Sequence, residues 1–123
     1  MVKLIGTAYK RDDFTTEEFF RYWREVHAPI TAKAPGIRGY VVSEVLRKYE
    51  GGELEADAFV ELWWDDEEAL DRAMASPEEQ AAWADVANYA KLSGTFWVAK
   101  EHVYIPPPIT GPGSLSSEVW IEP

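Results

Sequence analysis

Hydrophobic periodicity divides this chain into seven elements, four strands and three helices, separated by polar or Gly/Pro-rich turns. Residues 2–10 read as a strand in which Gly6 and Ala8 alternate with larger residues, and Arg11-Asp12-Asp13 is a polar turn. A helix start follows. Thr15 and Glu18 have capping-box spacing, and Phe14 and Phe19 occupy the positions of a hydrophobic staple. At about 100° per residue, Phe19, Trp23, Val26 and Ile30 share one stripe, with Phe20 and His27 at its edge. Pro29 removes a backbone donor and pushes Ala28 from helical geometry, so the helix is expected to end or kink near 26–28.

After an Ala34-Pro35-Gly36 turn, residues 37–49 read as a long second strand, with 50–53 as a hairpin loop and 58–64 as the third strand. Asp65 and Glu68 have the spacing of a helix start. Ser76, Pro77 and Glu79 then form a second start, for a helix whose apolar face is Trp83, Val86, Ala87 and Ala90. Ser93-Gly94 turns the chain into a fourth strand over 95–105. The order βαββαβ predicts an α+β, ferredoxin-like fold with a four-stranded antiparallel sheet over 1–105, followed by an extended tail over 106–123. In that tail Val119-Trp120-Ile121 needs a docking place.

One helix-covered sheet face should leave the other polar, yet Tyr40-Val41-Val42, Ala58-Phe59-Val60 and Phe96-Trp97-Val98-Ala99 are apolar on both. The economical cover is the same face of a second copy. That predicts a homodimer closing into an α+β barrel.

Composition narrows the function classes. Of 22 acidic residues, twelve fall between Glu50 and Glu79 against one base, Arg72, and the net charge is −10. Such a chain repels phosphate backbones and anionic membrane surfaces, so neither nucleic acid nor membrane is an expected partner. There is no cysteine, hence no disulfide, thiolate nucleophile or Cys-ligated metal. Without a signal-type segment or membrane-length apolar run, a cytoplasmic location is expected.

The stretch Phe19-Phe20-Arg21-Tyr22-Trp23-Arg24-Glu25-Val26-His27-Ala28-Pro29, followed by Pro35-Gly36-Ile37-Arg38-Gly39-Tyr40, resembles the EthD family of small dimeric α+β-barrel proteins. The match is good over 3–40, weaker to 105, and excludes the tail. The resemblance implies a dimer with a pocket between helices and sheet in each subunit. Relatives include proteins of alkyl-ether degradation, cofactor-free lactone isomerases, and dehydratases or cyclases of aromatic polyketides. The wider barrel group adds cofactor-independent monooxygenases and haem enzymes, so fold does not fix the reaction. The family histidine maps onto His27, and the aromatic at the start of the second strand onto Tyr40. The acidic stretch and the tail depart from the family pattern.

His27, at the expected helix end, feels the negative dipole end, while burial against Phe20 and Trp23 opposes protonation. The balance suits a proton carrier near neutrality. Its alternative task is to cap free helix carbonyls. Tyr40 either donates to a developing oxyanion or fills the core with its hydroxyl at the rim. His102 is a candidate substrate contact, second acid/base or haem ligand, against a partly solvated place near a strand end. Trp63, Trp64, Phe96 and Trp97 are core by default. Of these Trp63 and Phe96, with Phe20 and Trp23, are the candidates to line a pocket for a flat ligand. Glu44 and Glu61 interrupt apolar strands, either as pocket bases or as ion pairs across the dimer. Asp65-Asp66-Glu67-Glu68 reads as helix-dipole compensation rather than a cation site, and no metal-ligand spacing is present. The expectation is a cofactor-independent enzyme moving protons on a small apolar, aromatic or lactone-like substrate by isomerisation, dehydration or cyclisation. The rivals are an oxygenase or haem protein, and a non-catalytic ligand-binding dimer.

Overall fold

A computed structural model describes residues 1–108; the Val119-Trp120-Ile121 segment lies outside them. Strand β1 (Val2–Ala8) leads to α1 (Thr16–Tyr22), a π-helical turn (Trp23–His27) and α2 (Ala28–Thr31). Strands β2 (Gly39–Glu44) and β3 (Ala58–Trp64) precede α3 (Glu67–Met74) and α4 (Pro77–Asp85). A 3₁₀ turn (Val86–Asn88) and β4 (Phe96–Lys100) complete the fold. The strands lie in the order β2-β3-β1-β4, all antiparallel, which is the ferredoxin-like arrangement.

Register separates the two faces. Leu4 opposes Leu62, Gly6 opposes Val60 and Ala8 opposes Ala58, so these residues point toward the helices. With Phe19, Trp23, Trp64, Leu70 and Tyr89 they form the core. Gly6 is required by a close approach: a Cβ there would lie 2.3 Å from the Phe96 ring. Lys3, Ile5, Val41, Phe59, Glu61, Trp63 and Trp97 alternate onto the opposite, uncovered face. Val41 and Phe59 are each 42% exposed there and Trp97 52%.

The local starts form as the sequence predicts. Thr15 Oγ1 accepts from the Glu18 amide while the Glu18 carboxylate accepts from the Thr15 amide, a complete capping box. Ser76 caps α4. Asp66 rather than Asp65 caps α3, and Asp65 pairs with Arg38 at 2.7 Å. Strands β2 and β4 are shorter than their apolar runs, and residues 45–57 form an irregular connection rather than a tight hairpin.

The main departure is at Pro29, where the helix does not end. The Ala28 amide reaches back five residues to the Trp23 carbonyl, and Pro29 lies in the first turn of the following α segment. Widening one turn relieves the demand that the imino nitrogen donate four residues back. The extra residue in that turn also rotates the buried stripe. Phe19, Trp23, His27 and Thr31 face the core, while Val26 is 41% exposed.

Candidate active site

The rotated stripe places His27 inside a helix instead of at its negative end, so the dipole argument for its charge does not hold. A carboxylate takes that part. His27 Nδ1 is 3.0 Å from Asp85 Oδ2, and both side chains are buried. Asp85 is the last residue of α4, a position where the helix dipole disfavours an anion. Three donors offset that cost: the Tyr22 hydroxyl at 2.7 Å and the Asn88 amide at 3.0 Å, both on Oδ1, and His27 on Oδ2. Burial works against ionisation of Asp85, but these hydrogen bonds together outweigh it and hold the carboxyl below the usual aspartate range.

For His27 burial is the larger influence. It lowers the imidazole pKa below 6.5 even though Asp85 favours the charged form. The neutral ring therefore carries its proton on Nδ1, facing the carboxylate, and its lone pair on Nε2. Thr31 Oγ1 lies 3.3 Å from that Nε2. The Tyr40 hydroxyl accepts from Trp23 Nε1 at 2.6 Å and also hydrogen-bonds Thr31. Burial, opposed by Trp23 and Thr31, pushes the Tyr40 pKa up to about 12. With its oxygen already accepting from the indole, Tyr40 has its own proton to give. Asp85, His27, Thr31 and Tyr40 thus form one hydrogen-bonded series.

His27, Thr31 and Tyr40 line a cavity of about 200 Å³ between the helices and the sheet, and Asp85 reaches it only through His27. Trp23, Tyr89 and Phe96 supply aromatic wall, Leu4 and Leu62 its sheet side, and Lys91 and Leu92 stand beside it. Tyr89 packs against the His27 ring at a centroid distance of 4.9 Å. Glu79 also reaches the cavity. It is 3% exposed, and its Oε1 has no hydrogen-bond partner among the described residues.

Of the residues singled out in the sequence, His27, Tyr40, Trp23 and Phe96 meet at the cavity. Phe20 does not line it; its ring stacks on Trp23 from outside, with centroids 6.5 Å apart. Trp63 lies on the opposite sheet face, donating to Glu101 at 2.8 Å beside Lys3. His102 follows β4 in an exposed segment on a separate shallow surface. Glu61 pairs within its own chain, 2.5 Å from Lys3. Among the described residues no group of three or more His, Asp or Glu side chains gathers as a metal site, and no helix is long and apolar enough to cross a membrane.

Asp85, Thr31 and Glu79 are the residues that sequence reasoning missed. Glu79 has the spacing of a helix-capping acid, which hides its burial. Asp85 carried one usable signal, an acid set against the dipole at the end of an apolar helix.

The model for the EthD domain matches residues 11–93, which include every member of the hydrogen-bonded series. The chain belongs to the EthD family. Its fold is similar to that of an EthD family protein from Bacillus halodurans, with 30% identity and a TM-score of 0.72, covering 83% of this chain and 99% of that one. An uncharacterised 11.0 kDa Rhodococcus erythropolis protein is 27% identical over 72% of this chain and 84% of its own. More distant likenesses show the fold alone. One is a dimeric Bacteroides fragilis protein of unknown function and ferredoxin-like fold (21% identity, TM-score 0.59, covering 81% and 95%). Another is a mutant of SnoaB, a cofactor-independent oxygenase from Streptomyces nogalater (16%, 0.61, 86% and 97%).

Proposed function

We propose that this EthD protein is a cofactor-independent enzyme that moves a proton on a small, single-ring substrate. The observation that carries the reading is the buried pair of His27 and Asp85, whose imidazole lines an apolar cavity. A neutral imidazole oriented by a carboxylate is a general base whose conjugate acid has its counter-charge in place. His27 Nε2 takes a proton from a carbon next to a carbonyl, and the C–H electron pair shifts onto the oxygen as an enolate. Tyr40 donates its hydroxyl to that oxygen. The imidazolium then returns the proton to a second carbon, which completes an isomerisation. In a dehydration the proton leaves instead with a departing hydroxyl as water.

Volume limits the substrate. An apolar cavity of about 150 Å³ holds a benzene, so the space here suits one substituted ring rather than a fused polyketide. The functional unit is a homodimer formed through the open sheet face, supported by the exposed Val41, Phe59 and Trp97 and by the dimeric ferredoxin-like neighbour.

The test is solvent exchange. In D₂O the wild type is expected to place deuterium on the ring carbons of a hydroxyl-substituted five-membered unsaturated lactone, and His27→Ala to lose that exchange. Equal exchange by the two proteins contradicts the proposal. The fold-neighbour named as a cofactor-independent oxygenase motivates a second reading, in which the same enolate reacts with dioxygen. Oxygen consumption that requires His27 distinguishes it.

A further inference from the structure

Among the described residues, the proton-transfer chemistry above leaves the buried carboxyl of Glu79 unused. Glu79 sits in the first turn of α4, where its backbone amide, not its carboxyl, is taken by the Ser76 cap. The side chain turns inward and reaches the cavity. Trp83 hydrogen-bonds to it, and Oε1 has no partner among the described residues. A buried oxygen left unsatisfied forfeits its hydration without return, so folded proteins retain few of them without a reason. Among the described residues its surroundings supply no unpaired cation. Tyr40 on β2 is close enough for Glu79 to raise its pKa, and His27, Thr31 and Tyr89 line the same cavity. Lys91, also lining it, is engaged by Asp12 at 2.9 Å. Burial holds the Glu79 carboxyl above the ordinary glutamate range, with the Trp83 bond opposing.

We infer that Glu79 is a substrate-binding residue, its free Oε1 accepting a hydroxyl or N–H of an uncharged single-ring ligand that lies across the cavity. This rests on the proposed function only in taking the cavity as the ligand site. It adds a specificity rule: the ligand carries a donor group and no negative charge. An anionic ring would have to bury its carboxylate beside a second carboxyl, with no free cation among the described residues that line the cavity.

Three probes of similar size separate the cases: phenol, toluene and benzoate, titrated at neutral pH with the intrinsic tryptophan fluorescence as readout. Phenol is expected to bind the wild type about tenfold more tightly than toluene, the worth of one buried hydrogen bond, and benzoate to bind more weakly than either. In Glu79→Leu the phenol advantage disappears while toluene affinity stays within a few-fold; Glu79→Gln, which keeps an acceptor oxygen, retains it. The carboxyl ¹³C resonance of Glu79 in the unmutated protein provides a check that no folding defect can imitate, and it is expected to shift with phenol and not with toluene. Equal phenol and toluene affinities in the wild type, tighter benzoate binding, an unmoved resonance, or no binding of any probe would each overturn the inference. Because binding is read without turnover, loss of exchange in His27→Ala with phenol selectivity intact separates the proton-transfer reading from this one.

Discussion

His27 Nδ1 and Asp85 Oδ2 are 3.0 Å apart, joining the π-turn of the first helix to the last residue of α4. The contact sets which imidazole nitrogen carries the lone pair. In Asp85→Asn the oxygen is retained by Tyr22 and Asn88, and the new amide points its hydrogens at Nδ1. The ring proton then moves to Nε2 and the base is lost. Turnover is expected to fall by about 10²–10⁴-fold, with about 1–3 kcal/mol of stability lost with the charged acceptor. Exchange kinetics and urea denaturation read the two effects separately.

The same environment gives stability a pH dependence of known sign. Burial lowers the His27 pKa below its unfolded value of 6.5, so the unfolded chain binds more protons as pH falls. The contribution from His27 is complete above 6.5 and is lost as pH falls from there to its folded pKa. Asp85, also lowered, loses its contribution only in acid, from 3.8 downward. Glu79 is raised, so its effect has the opposite sign, with stability falling as pH rises from 4.5 through its folded value. Denaturation of wild type and His27→Gln between pH 5 and 8 isolates the histidine: the stability difference is expected to move against the wild type as pH drops from 7 to 5. A difference that does not vary with pH contradicts the assignment.

Tyr40→Phe removes the acceptor of the Trp23 indole at 2.6 Å. An indole N–H stranded in the core costs about 1–3 kcal/mol, a loss measurable as a lower urea midpoint at unchanged slope. Turnover is expected to fall by about 10²–10³-fold from the missing oxyanion donor.

On the open sheet face Phe59 and Trp97 are the large exposed rings. A homodimer through this face has twice the 14.0 kDa chain mass. Phe59→Lys or Trp97→Glu is expected to convert it to a monomer in sedimentation velocity without loss of helix signal. Wild type sedimenting as a monomer at micromolar concentration contradicts the face as an interface.

How much of this was legible depends on how local the determinant is. The Thr15 capping box and the Ser76 cap are interactions of neighbours in sequence, and both form as their spacing indicates. The alternation Ala58, Val60, Leu62, Trp64 already points Trp64 inward and Trp63 outward, so strand parity would have kept Trp63 from the pocket. Pro29 misleads because a π turn depends on what the helix packs against. That one inserted residue exchanges Val26 for His27 on the buried stripe. Glu79 obeys ordinary helix rules and Asp85 breaks one only in facing the helix dipole, and the tertiary fold alone shows both buried. Local pattern therefore identifies His27 but not the carboxylates around it.

The most direct test of the central claim is ¹⁵N NMR of the His27 ring through a pH titration, with and without phenol. A neutral ring at pH 7 protonated on Nδ1, a midpoint below 6.5, and an Nε2 resonance that responds to phenol are the expected results. A ring charged at pH 7, a proton resident on Nε2, or an Nε2 signal indifferent to a ligand in the cavity would contradict the claim.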